Sequence, residues 1–381
     1  MLVPSFTKVR RVVTKALAVP IVAAVAIVGS VSISSAASDV VAAAKANVDK
    51  YIVGTETAPP ASGPKAVAGK SIYVISCGQV VPGCSLQTNA AVEAAKVLGW
   101  NVTLVDGAFN ANGAYGKGVR QAVAAHADGV IVVSIDCNVI SQPLREANAA
   151  GLKVVGQNSF DCDEKPSLLT SMKYSAATPD LASYGQAAGA AQADYVIAKM
   201  DGKAKILKFR FIDNTFAIQS TKGFEAEIAK CAGCEVKNAD IALSDYGTPT
   251  GFARKAETAL LGAKDVDVVR VPFDSFITSG VGQAVVHAGR QNDMLVVGAE
   301  GFEANLNLIR EKRGQSVAIA SDQEWIGWGS VDAMNRLFAG VEPAVSGIGF
   351  KLVDIDHNLP ASGSYKSSID FKSAYKAVWG K

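Results

Sequence analysis

Polar and acidic residues recur where this chain would pass from strand to helix: Ser76-Cys77-Gly78-Gln79, Asp106, Asp136, Asn158-Ser159-Phe160, Asp213-Asn214, Phe273-Asp274, Glu300 and Ser321-Asp322-Gln323. Singly, an Asp, Asn or Ser in such a place can cap the helix that follows. As a set, amides, carboxylates and hydroxyls with scattered phenylalanines suit hydrogen bonding to a small solute, because open α/β sheets bind ligands beyond the carboxyl ends of their strands. Other chemistries find less support. His126 and His287 lie at helix ends beside alanine, and Asp354-Ile-Asp356-His357 has no companion spacing for a metal. The stretch 63–71, G-P-K-A-V-A-G-K-S, has five residues between its glycines rather than the four of a phosphate loop, and it precedes a strand. No G-x-S-x-G elbow occurs. No metal or cofactor is expected. An exported enzyme stays as an alternative because catalytic triads assemble from distant residues.

The elements that must carry this rim read most clearly between Arg120 and Ser159: helix, strand, polar loop, helix, strand. The apolar runs Gly129–Ile135 and Leu152–Val155 are continuous, as strands buried on both faces are. Pro143 is expected in the first turn of the helix between them and Gly151 just past its end. A similar unit over 283–301 ends in Glu300. Further strands are expected at Ile72–Ser76, Asn101–Asp106, Ala204–Phe209, Val236–Leu243, Val266–Pro272, Met294–Gly298, Ser316–Ser321 and Ile348–Val353. Between them fall helices at Leu86–Leu98, Gly116–His126, Leu181–Met200, Thr221–Lys230, Phe252–Leu261, Ile277–Ala288, Leu306–Arg313, Glu324–Phe338 and Phe371–Trp379.

A length of 381 residues suits two domains, and 49% hydrophobic residues with 35 glycines fits a globular α/β chain. The net charge of +2 gives no reason to expect nucleic acid as a partner. Residues 1–37 read as a signal peptide: Lys8, Arg10, Arg11 and Lys15, then the apolar run Ala16–Val31, then Ser34-Ser35-Ala36-Ala37. The apolar run is shorter than the ~20 residues a membrane span needs. The first cysteine is Cys77, so no lipid attachment after cleavage is expected. Arg10-Arg11 fits twin-arginine export poorly. The location expected is the periplasm or the medium, where six cysteines suggest disulfides. Cys137 and Cys162 each follow one of two successive strands, and Cys77 with Cys84 would close the first strand-to-helix loop. Cys231 and Cys234, C-A-G-C, follow a helix end rather than opening a helix, and so read as structural rather than redox-active. Residues 38–66 are an Ala-rich helix, Asp39–Tyr51, and a proline-bearing linker.

From Lys70 to Val345 the chain resembles the type I substrate-binding proteins of ABC importers, related to ribose- and galactose-binding proteins. The resemblance rests on Leu98-Gly-Trp100, A-D-G-V-I-V-V at 127–133, A-N-A-A-G-L-K-V-V at 147–155, Lys222-Gly-Phe224 and V-V-G-A-E-G at 296–301. It implies an α/β fold of two Rossmann-like lobes with parallel sheets, joined by a three-crossover hinge around a ligand cleft. One lobe would be 67–175 with 322–345, the other 176–321 with 346–381. It further implies a non-catalytic, monomeric receptor that closes over a sugar or sugar-like solute and serves an ABC permease. The ligand-binding residues expected are Gln79, Cys84, Asp136, Asn158, Ser159, Phe160, Phe216, Gln219, Phe273, Asp274, Glu300, Ser321 and Gln323.

The rim departs from that family. The aromatic pair of its first loop falls on Gly83 and Cys84, and its Asp-Arg on Asn158 and Ser159. A second arginine falls on Ile218, and the asparagine before Asp274 on Phe273. The acid is kept as Glu300, while a crossover glutamine becomes Ser321, with Gln323 two residues on. Each charged hydrogen bond lost with an arginine is worth ~1.5–3 kcal/mol. Phe160, Phe216, Phe273, Trp325 or Trp328 would have to supply a new stacking surface. The alternative ligand is therefore a less polar cyclic or aromatic compound. Alternative roles are a ligand-presenting receptor for a sensor, or a DNA-binding regulator of the same fold; the latter would need a helix-turn-helix where the signal peptide stands.

Overall fold

In a computed structural model, which describes residues 30–246 and 250–381, the α/β rhythm sorts into two sheets. The first contains β1 (Ser71–Ser76), β2 (Asn101–Asp106), β3 (Gly129–Val133), β4 (Lys153–Gln157) and β5 (Thr170–Ser171), all parallel, in the order β2-β1-β3-β4-β5. The second contains β6 (Lys205–Phe211), β7 (Glu235–Ile241), β8 (Val268–Arg270), β9 (Leu295–Glu300), β10 (Val317–Ala320) and β11 (Lys351–Asp354), in the order β11-β10-β9-β8-β6-β7. Here β11 runs antiparallel to β10. Residues 1–29, most of the expected signal peptide, lie outside the described residues.

Apolar continuity places β3 at the centre, where all five of its residues are buried, and β2 at an edge, where its side chains stay largely exposed. Helices α2 (Pro82–Leu98), α3 (Ala114–Ala124) and α4 (Cys137–Ala149) pack on the first sheet. The α4 backbone breaks at Ile140, φ −134° and ψ 26°. Pro143 is therefore not in the first turn of α4 but just inside the segment that restarts after the break, where its missing N–H costs no hydrogen bond. On the second sheet lie α5 (Leu181–Lys199), α6 (Thr215–Ile228), α7 (Gly251–Leu261), α8 (Asp274–Phe276), α9 (Gly282–His287) and α10 (Glu303–Arg310).

The chain passes between lobes at 172–181, at 320–323 on entering α11 (Gln323–Phe338), which packs on α2 and β4, and at 343–351 on its way to β11. Both ends of the described chain cross as well. Helix α1 (Ser30–Val53) packs on α5 and β11 of the second lobe. The linker after it pairs with the third crossover (Thr55 N to Phe350 O, 3.0 Å; Thr57 N to Gly347 O, 2.9 Å) and reaches the first lobe at Val67, whose N–H donates to Asn335 Oδ1. At the other end, Tyr365 N donates to Gly301 O in the second lobe, while α12 (Phe371–Trp379) packs on α11. There Trp325 stacks on Phe371 at 5.1 Å and Trp328 on Trp379 at 5.4 Å. Residues 346–381 thus do not all belong with the second lobe as expected, because these buried rings tie the last helix to the first. The same stacks remove Trp325 and Trp328 as candidates for the rim.

Candidate functional site

Parallel register lines up the first rim: Asp106 pairs with Ser76, Ser76 with Val133, and Val133 with Gln157. The loops leaving this row are tied to one another. Cys77 and Cys84 lie at disulfide distance and close the β1–α2 loop, as Cys137 and Cys162 join the turns after β3 and β4. Asp106 Oδ1 accepts from the N–H groups of Gln79 (3.0 Å) and Ala108 (2.9 Å). Ser159 Oγ accepts from Ile135 N (3.0 Å) and donates to Val132 O (3.1 Å), and Asp136 Oδ1 accepts from Phe160 N (3.0 Å). Three of the expected binding residues, Cys84 through its sulfur, Asp136 through Oδ1 and Ser159 through Oγ, therefore already hold loops. Gln79 differs: its Nε2 is buried without a hydrogen-bond partner.

Beneath this rim lies a residue that the sequence reading missed. Gln87 of α2 is 4% exposed. Its Oε1 accepts from Gln157 Nε2 (3.2 Å) and Asn158 Nδ2 (3.0 Å), and its Nε2 donates to Gln323 Oε1 (2.7 Å). Tyr174 OH, on the first crossover, donates to Asn158 Oδ1, and Ser330 Oγ donates to Gln157 Oε1 (2.6 Å). One amide thus links the rim to two crossovers. A signal was present: Gln87 occupies the apolar stripe of α2 with Ala90, Ala91, Ala94 and Ala95, at i+3, i+4, i+7 and i+8. A glutamine there needs buried partners.

The second rim is built from rings and carboxyls. Phe216 and Phe273, both half-buried, stack with centroids 5.9 Å apart. Tyr184 stands 6.3 Å from Phe216 and stacks on Tyr174 at 4.7 Å, continuing an aromatic file to the first crossover. Its hydroxyl shares a 2.5 Å hydrogen bond with Ser321 Oγ. Gln219 Oε1 accepts from Gln186 Nε2 at 2.8 Å, and Asn214 caps α6. Asp274 is fully buried, accepting from Gly301 N and Gln315 Nε2, both at 2.8 Å. Glu300 Oε2 accepts from Asp274 N at 3.1 Å. Burial pushes the Asp274 carboxyl up to about 7. Burial, then the charge of Asp274, pushes Glu300 well above the carboxylate range.

The rims meet. A Cβ at Gly83 of the first lobe would stand 3.3 Å from Glu300 Oε1 and 3.3 Å from Phe302 Cζ of the second. The structure therefore brings Gln79, Asn158, Phe216, Phe273 and Glu300 to two facing, half-buried rims, and places Gln323 on the hinge between them.

A family model described as a periplasmic binding protein domain matches residues 72–342. The chain belongs to that family. No curated protein sequence matches it. Among solved structures, a galactofuranose binding protein is 16% identical with a TM-score of 0.64, covering 82% of this chain and 99% of its own. An ABC transporter solute binding protein from Bacillus halodurans C-125 with bound myo-inositol is 16% identical (TM-score 0.62; 77% of this chain, 97% of that one). One from Mycobacterium smegmatis with bound glycerol is 17% identical (TM-score 0.64; 79% and 100%). These likenesses establish the fold of this periplasmic binding protein: two α/β lobes.

Proposed function

We propose that this periplasmic binding protein is the extracytoplasmic receptor of an ABC importer and holds a sugar or polyol in the cleft by lobe closure. The observation that carries this reading is the pairing of unlike rims: the unpartnered Gln79 amide on one side, the Phe216–Phe273 ledge and the Glu300 carboxyl on the other. Hydroxyl groups are both donors and acceptors, and a ring's C–H face packs on an aromatic. A solute touching both rims stabilises the closed state by its differential affinity. The ligands named for the solved relatives, galactofuranose, myo-inositol and glycerol, are of this class. Exposed apolar side chains flank the strand-end face of both lobes, with Val80 and Val139 on one and Ile212 and Leu243 on the other. They suit contact with a permease.

The absence of arginine at Ser159 and Ile218 favours a second reading of the ligand, a less polar cyclic compound. A thermal-shift and calorimetry panel of pentoses, hexoses, polyols and aromatic acids decides between them. Saturable one-site binding of a sugar or polyol, released unchanged, is the expected result. Binding of aromatics alone favours the second reading, and turnover of a bound compound would overturn the receptor role.

A further inference from the structure

Gly83 sits in the first turn of α2, directly after Pro82. Glycine is a poor helix former, and no left-handed φ calls for it at this position. Its reason lies across the cleft, where Phe302 Cζ and Glu300 Oε1 of the second lobe press against the place a side chain would occupy. Phe302 precedes α10 and is only 2% exposed. A methyl group at Gly83 would ask both neighbours to yield by a few tenths of an ångström, since 3.3 Å is tighter than an ordinary contact. A larger side chain could fit only if the lobes stood further apart.

We propose that Gly83 and Phe302 form a steric pair across the cleft that sets how far the lobes close, and with it the largest solute the cleft accepts. The size limit rests on the cleft being the binding site; the steric pair does not. Small-angle scattering of the ligand-free protein tests the pair directly, with circular dichroism confirming the fold. Gly83→Phe should enlarge the radius of gyration relative to wild type, Gly83→Ala should not, and Gly83→Phe with Phe302→Ala should restore the wild-type value. If Gly83→Phe does not fold, Phe302→Trp enlarges the pair from the other side and should open the molecule likewise. A folded Gly83→Phe with the wild-type radius, or an increase that Phe302→Ala leaves in place, overturns the proposal. Calorimetry with myo-inositol reads the size limit. If wild type binds it, Gly83→Phe should lose at least about tenfold in affinity and the double variant should regain it; equal binding by Gly83→Phe overturns the size limit. If neither myo-inositol nor any other sugar or polyol binds wild type, the solute class proposed above fails, while the radius of gyration still decides the pair.

Discussion

The two rims of the proposed cleft are built from different materials. The first is a set of amides whose loops are laced by Cys77–Cys84, Cys137–Cys162 and the Gln87 network. The second is a ledge of rings over a buried carboxyl pair, and its cysteine pair, Cys231–Cys234, lies beyond the far end of α6. Hydrogen bonds demand placement to a few tenths of an ångström, so the side that relies on them needs its loops pinned. Aromatic contact tolerates sliding, so the ledge does not. The first rim is thus a fixed template and the second a forgiving surface.

The sharpest way to break this contrast is Gln87→Leu. It keeps the side-chain bulk but leaves the amides of Gln157, Asn158 and Gln323 short of partners at ~1–3 kcal/mol each, so denaturant unfolding should show a loss of roughly 3 kcal/mol or more. Wild-type stability would mean the template is not held by this network. The carboxyl pair gives the second test. Asp274 and Glu300 bind their protons more tightly in the folded protein than in the unfolded chain, where carboxyls titrate near ~4. Their contribution to stability should therefore be fully present at low pH and be lost as pH rises from ~4 through the folded value, about 7 for Asp274. The melting temperature at pH 8 should lie several degrees below that at pH 5.5, and Glu300→Gln should flatten the slope.

Phe273→Ala removes half of the ledge. Burying a phenylalanine face is worth ~1.5–3 kcal/mol, so affinity for the solute identified by the panel should fall roughly tenfold to a hundredfold, with little change in the ligand-free melting temperature. The smallest effects come from the cysteines. Replacing Cys77 and Cys84 by serine should weaken binding several-fold, whereas replacing Cys231 and Cys234 should leave it unchanged. Equal responses would erase the distinction between a pinned and an unpinned rim.

The frame was readable because strands buried on both faces have no choice but continuous apolar runs: β3 and β4, and the acid ending β9, emerge directly from sequence. Helix starts were harder. Helix α2 begins four residues before the expected Leu86, because Val81 precedes it with no side-chain cap and a proline takes the first position. Helix α6 begins at Thr215 rather than Thr221, its cap Asn214 having been counted among the rim residues. At the site, residue types marked the rim but not which atoms were already committed. Ser159, Asp136, Asn158 and Cys84 look as available as Gln79 until the loops after β1, β3 and β4 are folded together. Phe302 entered no motif at all, since its role depends on a glycine more than two hundred positions away.

The crossing of both chain ends between lobes changes what should be regarded as the moving part. The family-matched stretch, 72–342, has the usual links between its halves, yet α1 rides on the second lobe, α12 on the first, and the segments joining them to the body run past the hinge in opposite directions. In the lobe closure proposed above they would act as a governor on the swing. If the lobes close as proposed, cutting the chain back to its recognisable core should leave two well-formed halves on a slacker pivot.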